Sequence, residues 1–424
     1  MKNKPFILPA ILILLIGLSA GIWYWMASNH SEGKKSPSIH TKKEGFSSNK
    51  PEPEKETLPP EEEAKKILSS MTAEQKAGQI MMVGIRGKEA AGDAADFINN
   101  RSAGGIILFD RNMESPGQVA ELTNSLQNAA KKSPLSLPLM ISVDQEGGMV
   151  TRMKEKVSPI PSQQQLGHTS TAADVYDVAN LNGKELSAMG ITINLAPVLD
   201  LSSTDTRSFG ENPEKTYEYG TSSIKGLNDA GITGALKHFP GNGRSQVDPH
   251  KDSSAVEADQ LDLENSDIYP FKRIIAETDN QNFFTLVTHI KYPAYDKEKP
   301  ASLSPVIIKD LLRKKLGFEG IVVTDDLEMG AVNKYYTYKD MGVEAVNAGA
   351  DLLLVCHEYK NQVEVYDGIV AAIKSGKIKQ ERIDEAVKRI LIYKLSSNEP
   401  EEADPQRAEA LVGNKASRDF LNGL

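Results

Sequence analysis

At 424 residues, 39% hydrophobic and 25% charged, the chain has enough apolar material for a large core, which excludes global disorder. The length exceeds one small domain and suits a single α/β barrel, a unit of roughly 250 residues or more, with additions. A formal net charge of -9 argues against a nucleic-acid partner, which calls for a basic face.

Lys2 and Lys4 precede an uncharged apolar run over residues 6–26. About 20 such residues cross a bilayer as a helix, and Trp23, Tyr24 and Trp25 at its far end suit the membrane interface. Residues 1–26 are therefore expected to anchor the chain in the cell membrane, with the N-terminus cytoplasmic and the remainder extracellular. The alternative is a cleaved signal segment and a secreted protein, which the bulky ending Ile22, Trp23, Tyr24, Trp25, Met26 disfavours. Residues 27–58 are rich in Ser, Lys, Glu and Pro and nearly devoid of large apolar side chains. They are expected to form a disordered, extended linker.

Order is expected from residue 59. EEEAKKILSSM at 61–71 reads as a short helix with acids in its first turn, and Thr72 with Gln75 forms a capping-box pattern that opens a second. Apolar runs of β type follow at 81–85, 105–108, 139–143, 193–196, 234–237, 286–288, 320–324 and 351–356. Their polarity is continuous rather than alternating, as for strands covered on both faces. The single cysteine, Cys356, closes the last run; alone it can form no intrachain disulfide and reads as a small buried residue. Helical stretches at 115–132, 174–189, 216–230 and 338–348 separate the runs. Strand–helix alternation predicts a parallel sheet, and eight repeats predict a closed (β/α)8 barrel of the TIM type, with a doubly wound open sheet as the alternative. A last amphipathic helix over 381–395 leads to a polar tail, so the barrel domain is set at 59–398 and the tail at 399–424.

Polar residues stand at or just past the end of these runs: Asp110, Asp144 to Glu146, Asp200, Lys237 with His238, His289, and Asp325 with Asp326. That end of a barrel is where active sites are built. The segment from Lys237 to His250 is a Pro- and Gly-bearing loop in which Asp248 and His250 flank one residue. A carboxylate bonded to an imidazole fixes its tautomer and raises its pKa, which suits general acid and base work near neutrality. A carboxylate at the end of a buried strand, as at Asp325, can attack an anomeric carbon or stabilise its cationic transition state. No dedicated ligand spacing such as H-E-x-x-H is present, so neither metal nor cofactor is expected.

These segments together resemble glycoside hydrolase family 3, in its β-N-acetylglucosaminidase branch. The resemblance spans about residues 65 to 395. It is carried by GIILFDRN (105–112), DQEGGMVTR (144–152), NLAPVLD (194–200), Arg207-Ser208-Phe209, the K-H-F-P-G-x-G-x4-D-x-H pattern ending at His250, PASLS (300–304) and VTDDLEM (323–329). It implies a barrel and a retaining mechanism through a covalent glycosyl-enzyme. Asp325 becomes the nucleophile, and His250 the acid/base assisted by Asp248. Asp144, Arg152, Arg207, Lys237 and His238 would hold the terminal sugar, with His289 and Met329 lining the same pocket and Asp326 in support. Lys237, Arg152 and Arg207 are expected to supply donors to sugar hydroxyls and, as nearby cations, to keep Asp325 ionised. Four positions depart from the branch pattern: Asn242 replaces His, Arg244 replaces Asp, Pro249 replaces Ser, and Met149 replaces the Arg that follows Gly-Gly.

The expected function is an exo-β-N-acetylglucosaminidase acting on cell-wall fragments or related glycans, membrane-tethered, with no nucleic-acid partner and no indicated oligomeric state. Three alternatives stay open at this point. They are a β-glucosidase or β-xylosidase of the same family, a non-hydrolytic sugar or muropeptide binder, and a phosphorylase in which phosphate replaces water.

Overall fold

The architecture was obtained as a computed structural model, which describes residues 58–245, 248–397 and 401–424. The expected anchor at 1–26 and the linker up to residue 57 lie outside the described residues. Among the described residues, no helix is long and apolar enough to cross a membrane.

Each of the eight apolar runs forms a strand: β1 (Met81–Gly84), β2 (Gly105–Leu108), β3 (Met140–Val143), β4 (Ile193–Asn194), β5 (Thr233–Phe239), β6 (Phe283–Val287), β7 (Val322–Thr324) and β8 (Leu353–Val355). They lie in the spatial order β8-β1-β2-β3-β4-β5-β6-β7, all parallel. Register is set by pairs such as Val83 with Ile106, Ile106 with Ile141 and Val287 with Thr324. The two ends of that order meet through the Val323–Leu352 bridge and the Asp351 N–H bond to Val322 O (2.8 Å), which makes the sheet a (β/α)8 barrel. Two strands extend beyond the expected runs, and most of the others are shorter by one to three residues. β6 starts at Phe283 because buried Thr285 interrupts, in sequence, an apolar stretch that the fold treats as one. β5 runs on through the polar pair Lys237-His238 to Phe239.

The connecting helices follow their local signals. Ser115 caps Pro116–Lys132 by accepting the Gln118 N–H (3.3 Å), and Asn212 caps Pro213–Asp229 by accepting that of Lys215 (3.0 Å). The Thr72 capping box forms as read from the sequence. Helices Ala172–Ala188 and Pro213–Asp229 pack closely because Gly226 lies against the Tyr176 carbonyl, where a Cβ would stand 2.4 Å from the oxygen.

The polar tail is not a free strand of chain. It folds into helices Pro405–Leu411 and Lys415–Asn422, which dock on the barrel's outer layer. Glu409 accepts the Gly117 N–H (2.9 Å), Asn124 exchanges two hydrogen bonds with the Ala403 backbone (2.8 and 2.9 Å), and buried Glu185 accepts the Gly413 N–H (2.8 Å). Leu421 is buried among Ile160, Leu166 and Val175. The segment reads as polar in sequence, yet Ala408 and Val412 are buried in the main core and seat it together with Leu421 and these polar bonds.

At the opposite end of the barrel from the polar ring, fully buried Asp351 ties the last strands together. It accepts Arg382 (2.6 Å), Arg389 (3.2 Å), Arg313 and the Val322 N–H (3.1 Å). Burial pushes its carboxyl up, but the three guanidinium groups outweigh this and hold it below the usual range. Asp351→Ala removes the buried carboxylate that the three guanidinium groups share, leaving Glu385 alone to pair with Arg382 and Arg389, and should lower the free energy of unfolding by about 3–5 kcal/mol in urea denaturation.

Candidate active site

A cavity of about 500 Å3 opens at the C-terminal ends of the strands. Ile107, Leu195, Leu286 and Leu354, from β2, the end of β4, β6 and β8, line it among apolar residues, and charged residues line it as well. Of the ten residues expected at the site, nine line this cavity: Asp144, Arg152, Arg207, Lys237, His238, Asp248, His250, Asp325 and Met329.

His289 is the exception and does not line it. It is fully buried beneath Asp326, donating Nε2–H to the Asp326 carbonyl (2.9 Å) with Nδ1 2.6 Å from Ser302 Oγ. Burial pushes its pKa down, so the ring is neutral and structural. The rule that a polar residue past a strand end faces the cavity fails here because Ser302 and the Asp326 carbonyl hold both ring nitrogens.

The innermost polar group follows from two strands. Past β3, Asp144 and Glu146 sit two residues apart on an extended stretch, so their side chains share a side. The turn at Gly147 (φ 96°) and Gly148 (φ 57°) then brings Arg152 back, its N–H donating to Gln145 Oε1 (2.7 Å). From β5, Lys237 Nζ donates to Asp144 (2.9 Å) and Glu146 (2.7 Å). Arg207 forks onto Glu146 through two bonds of 2.8 Å, and Arg152 reaches Asp144 at 3.4 Å. The register of β5 shifts between Leu236 and Phe239, and neighbours Lys237 and His238 both reach the cavity instead of pointing apart. His238 Nδ1 lies 2.6 Å from Asp200, which also accepts the N–H groups of His238 (3.2 Å) and Asn242 (2.6 Å). Burial pushes the Asp144, Glu146 and Asp200 carboxyls up, but their partners outweigh it: Lys237 and Arg152 for Asp144, Lys237 and Arg207 for Glu146, and the contacts with His238 and the Asn242 N–H for Asp200. Glu146 is held down to about 2.

The catalytic candidates occupy the other wall. Asp325 follows β7; its N–H donates to Val287 O and its Oδ1 accepts the Asp326 N–H, both at 2.9 Å. The cations expected beside it are instead committed to Asp144 and Glu146 by the ion pairs above. Asp326 supports its neighbour: it accepts the N–H groups of Cys356 and Glu328 (both 3.1 Å) and faces His357 Nε2 at 3.3 Å. That contact raises the His357 pKa. On the loop after β5, His250 Nδ1 lies 2.8 Å from Asp248 Oδ1, which also accepts the His250 N–H (3.0 Å). The His250 contact holds the Asp248 carboxyl below its ordinary value. The pair is solvent-exposed and leaves Nε2 available to a bound molecule.

Sequence reasoning gave no role to Glu146, Asp200 or His357. Glu146 had a legible signal in its two-residue spacing from Asp144. His357 is the first polar residue past β8, so the strand-end rule applied to it. Nothing in the spacing joins Asp200 to His238. Among the departures, Arg244 is bound by Asp262 (2.7 and 2.9 Å) and Asp267 (2.8 Å), and Met149 is 72% exposed at the cavity wall. Among the described residues, no group of three or more His, Cys, Asp or Glu could hold a metal ion.

Residues 72–392 match the model of the glycosyl hydrolase family 3 N-terminal domain. The chain belongs to glycosyl hydrolase family 3. Beta-hexosaminidase A of Pseudoalteromonas piscicida is 33% identical over 392 residues, an alignment covering 82% of this chain and 65% of that protein. This family 3 chain thus spans just under two thirds of that relative's length. A beta-hexosaminidase of Haemophilus influenzae is 32% identical over 297 residues, covering 68% of this chain and 82% of the relative. In structure, a family 3 beta-N-acetylglucosaminidase from Paenibacillus sp. str. FPU-7 superposes with a TM-score of 0.76 at 37% identity, over 84% of this chain and 68% of the other. A beta-N-acetylhexosaminidase from Beutenbergia cavernae gives 0.71 at 27% identity, over 77% and 99%.

A depressed folded-state pKa means that the stabilisation from Glu146 is present above its ordinary value and lost as pH falls through the folded one. Unfolding free energies of the native protein and Glu146→Gln should therefore differ most near neutrality and converge as pH falls from about 4.5 toward 2.

Proposed function

We propose that the chain is a retaining exo-β-N-acetylglucosaminidase that hydrolyses terminal β-linked N-acetylglucosamine from cell-wall fragments or related glycans. The observation that carries this reading is that Asp325 and the Asp248–His250 pair line one cavity together with the charged cluster of Asp144, buried Glu146, buried Lys237 and Arg207. The relatives' printed names, beta-hexosaminidase and beta-N-acetylglucosaminidase, support the same substrate class.

Asp144, Arg152, Arg207, Lys237, His238 and Met329 would hold the terminal sugar, the charged ones by charge-assisted bonds to its hydroxyls. An Asp325 oxygen then bonds to the anomeric carbon as the glycosidic C–O bond breaks, while His250 Nε2–H protonates the departing oxygen. In the second half, water attacks the same carbon, its proton passes to His250 Nε2, and the Asp325 carboxylate is released. Asp248 stabilises the imidazolium and keeps the Nδ1 proton on its own side. The location that goes with this reading is the outer face of the cell membrane, held by residues 1–26. Its support is the uncharged apolar sequence of that segment.

Full-length protein should cleave a chromogenic β-N-acetylglucosaminide and leave the matching β-glucoside intact, and Asp325→Asn should lower kcat by about 10³-fold or more. Cleavage of the glucoside alone would move the reading to a β-glucosidase, and binding of N-acetylglucosamine without turnover would move it to a sugar binder. Formation of sugar 1-phosphate in phosphate buffer would make the chain a phosphorylase. The anchor is checked by fractionation: the full-length chain should sediment with membranes, whereas a soluble product beginning beyond residue 26 would mark a cleaved signal.

A further inference from the structure

The backbone stretch that carries His250 is fastened to the one that follows Asp325. Gly330 N–H donates to His250 O (3.1 Å), and Ala331 N–H to Pro249 O (3.0 Å). The approach is so close that a Cβ on residue 330 would stand 2.5 Å from Lys251 O and 2.8 Å from His250 O. Two residues past His250, the Asp252 carboxylate accepts the Tyr335 hydroxyl on Oδ1 (2.6 Å) and the Lys334 ammonium on Oδ2 (3.1 Å). The N–H groups of Lys251 and Asp252 both donate to Asp248 O (2.9 and 3.2 Å), so residues 248–252 form one turn. A displacement of Asp252 is thereby transmitted to the Asp248–His250 pair.

None of Asp252, Lys334 and Tyr335 lines the cavity. Tyr335 is 59% exposed, and the side chains of Lys334 and Asp252 are about half exposed. Exposed pairs of this kind add little to global stability. What they do have is leverage: they grip the loop beside its proton donor and the opposing chain ten residues beyond Asp325. Arg244, at the other side of the loop, is gripped by a separate element through Asp262 and Asp267.

We propose that Asp252, Tyr335 and Lys334 form a clasp of positioning residues that sets His250 against the bond broken at Asp325. The clasp thereby governs substrates whose leaving group needs a proton. This rests on the roles given above to Asp325 and His250. A leaving group such as 2,4-dinitrophenolate departs without protonation, whereas the sugar leaving from N,N′-diacetylchitobiose requires it. The ratio of kcat/KM for the two substrates therefore reports the placement of the proton donor and not the general integrity of the site.

In full-length protein, Tyr335→Phe and Asp252→Asn should each lower kcat/KM for diacetylchitobiose about three- to tenfold while leaving the dinitrophenyl glycoside within about twofold and the melting temperature unmoved. His250→Ala should show the same selectivity at larger amplitude, and Gly330→Ala, which pushes the two segments apart, should reproduce the pattern of the clasp variants. Equal losses on both substrates, or no loss on either, would overturn the clasp while leaving the enzyme assignment standing. Failure of the unaltered protein to cleave either substrate would overturn the assignment and the clasp with it.

Discussion

Lys237 carries an ammonium at a position buried from solvent, and the layout of the site depends on the two carboxylates that make this tolerable. Neither Asp144 nor Glu146 could be buried alone, and nor could the lysine; each charge is kept by the others at 2.7 to 2.9 Å. Such an arrangement demands that β3 and β5, which are not neighbours, be held in fixed relation. The barrel supplies that through β4, whose continuation bridges to Lys237 at Val198. The covered strands below and the polar cluster above are two parts of one constraint.

Committing the cations to Asp144 and Glu146 shapes what remains. Asp325 accepts the Asp326 N–H, while Lys237, Arg152 and Arg207 pair with Asp110, Asp144 and Glu146. A carboxylate left in that condition faces the cavity without a protein cation spending its charge, which is the condition the proposed nucleophile requires. The immobile neighbour is Asp326, pinned by backbone N–H groups, His357 and the neutral His289 beneath it. One acid of the adjacent pair is thus structural and the other is available.

Much of this was legible in the sequence, because continuous apolar runs ending in polar residues obey a single geometric rule. All eight strands and the cavity-lining Asp144, Lys237, His238 and Asp325 followed from it, while Arg152, Arg207, Met329 and the Asp248–His250 pair came from loop motifs and the family resemblance. The rule also marks its own limits. It misplaced His289, whose direction is set by a turn and by Ser302 thirteen residues away. It passed over the pairing of Asp200 with His238, a contact across 38 residues that no local pattern encodes. The tail helices escaped for a different reason: they are short, and their seats, Ala408 and Val412 in the main core, Leu421 beside Ile160 and Leu166, and single polar bonds to Glu185 and Asn124, are contacts across the chain that no local pattern encodes.

Closure of the barrel has a consequence for how the chain is made. β1 pairs with β8 through Met81 and Leu353, and β8 is locked by Arg382 and Arg389 on the last long helix. During synthesis β1 emerges first and keeps one bare edge until nearly the whole chain has followed. For that interval the nascent sheet is an open ribbon with pairing groups exposed, a state prone to joining the wrong partner. Arg382 and Arg389, two of the three arginines that converge on Asp351, arrive at the end, and they act as the final fastener of a structure that must wait for its C-terminal quarter.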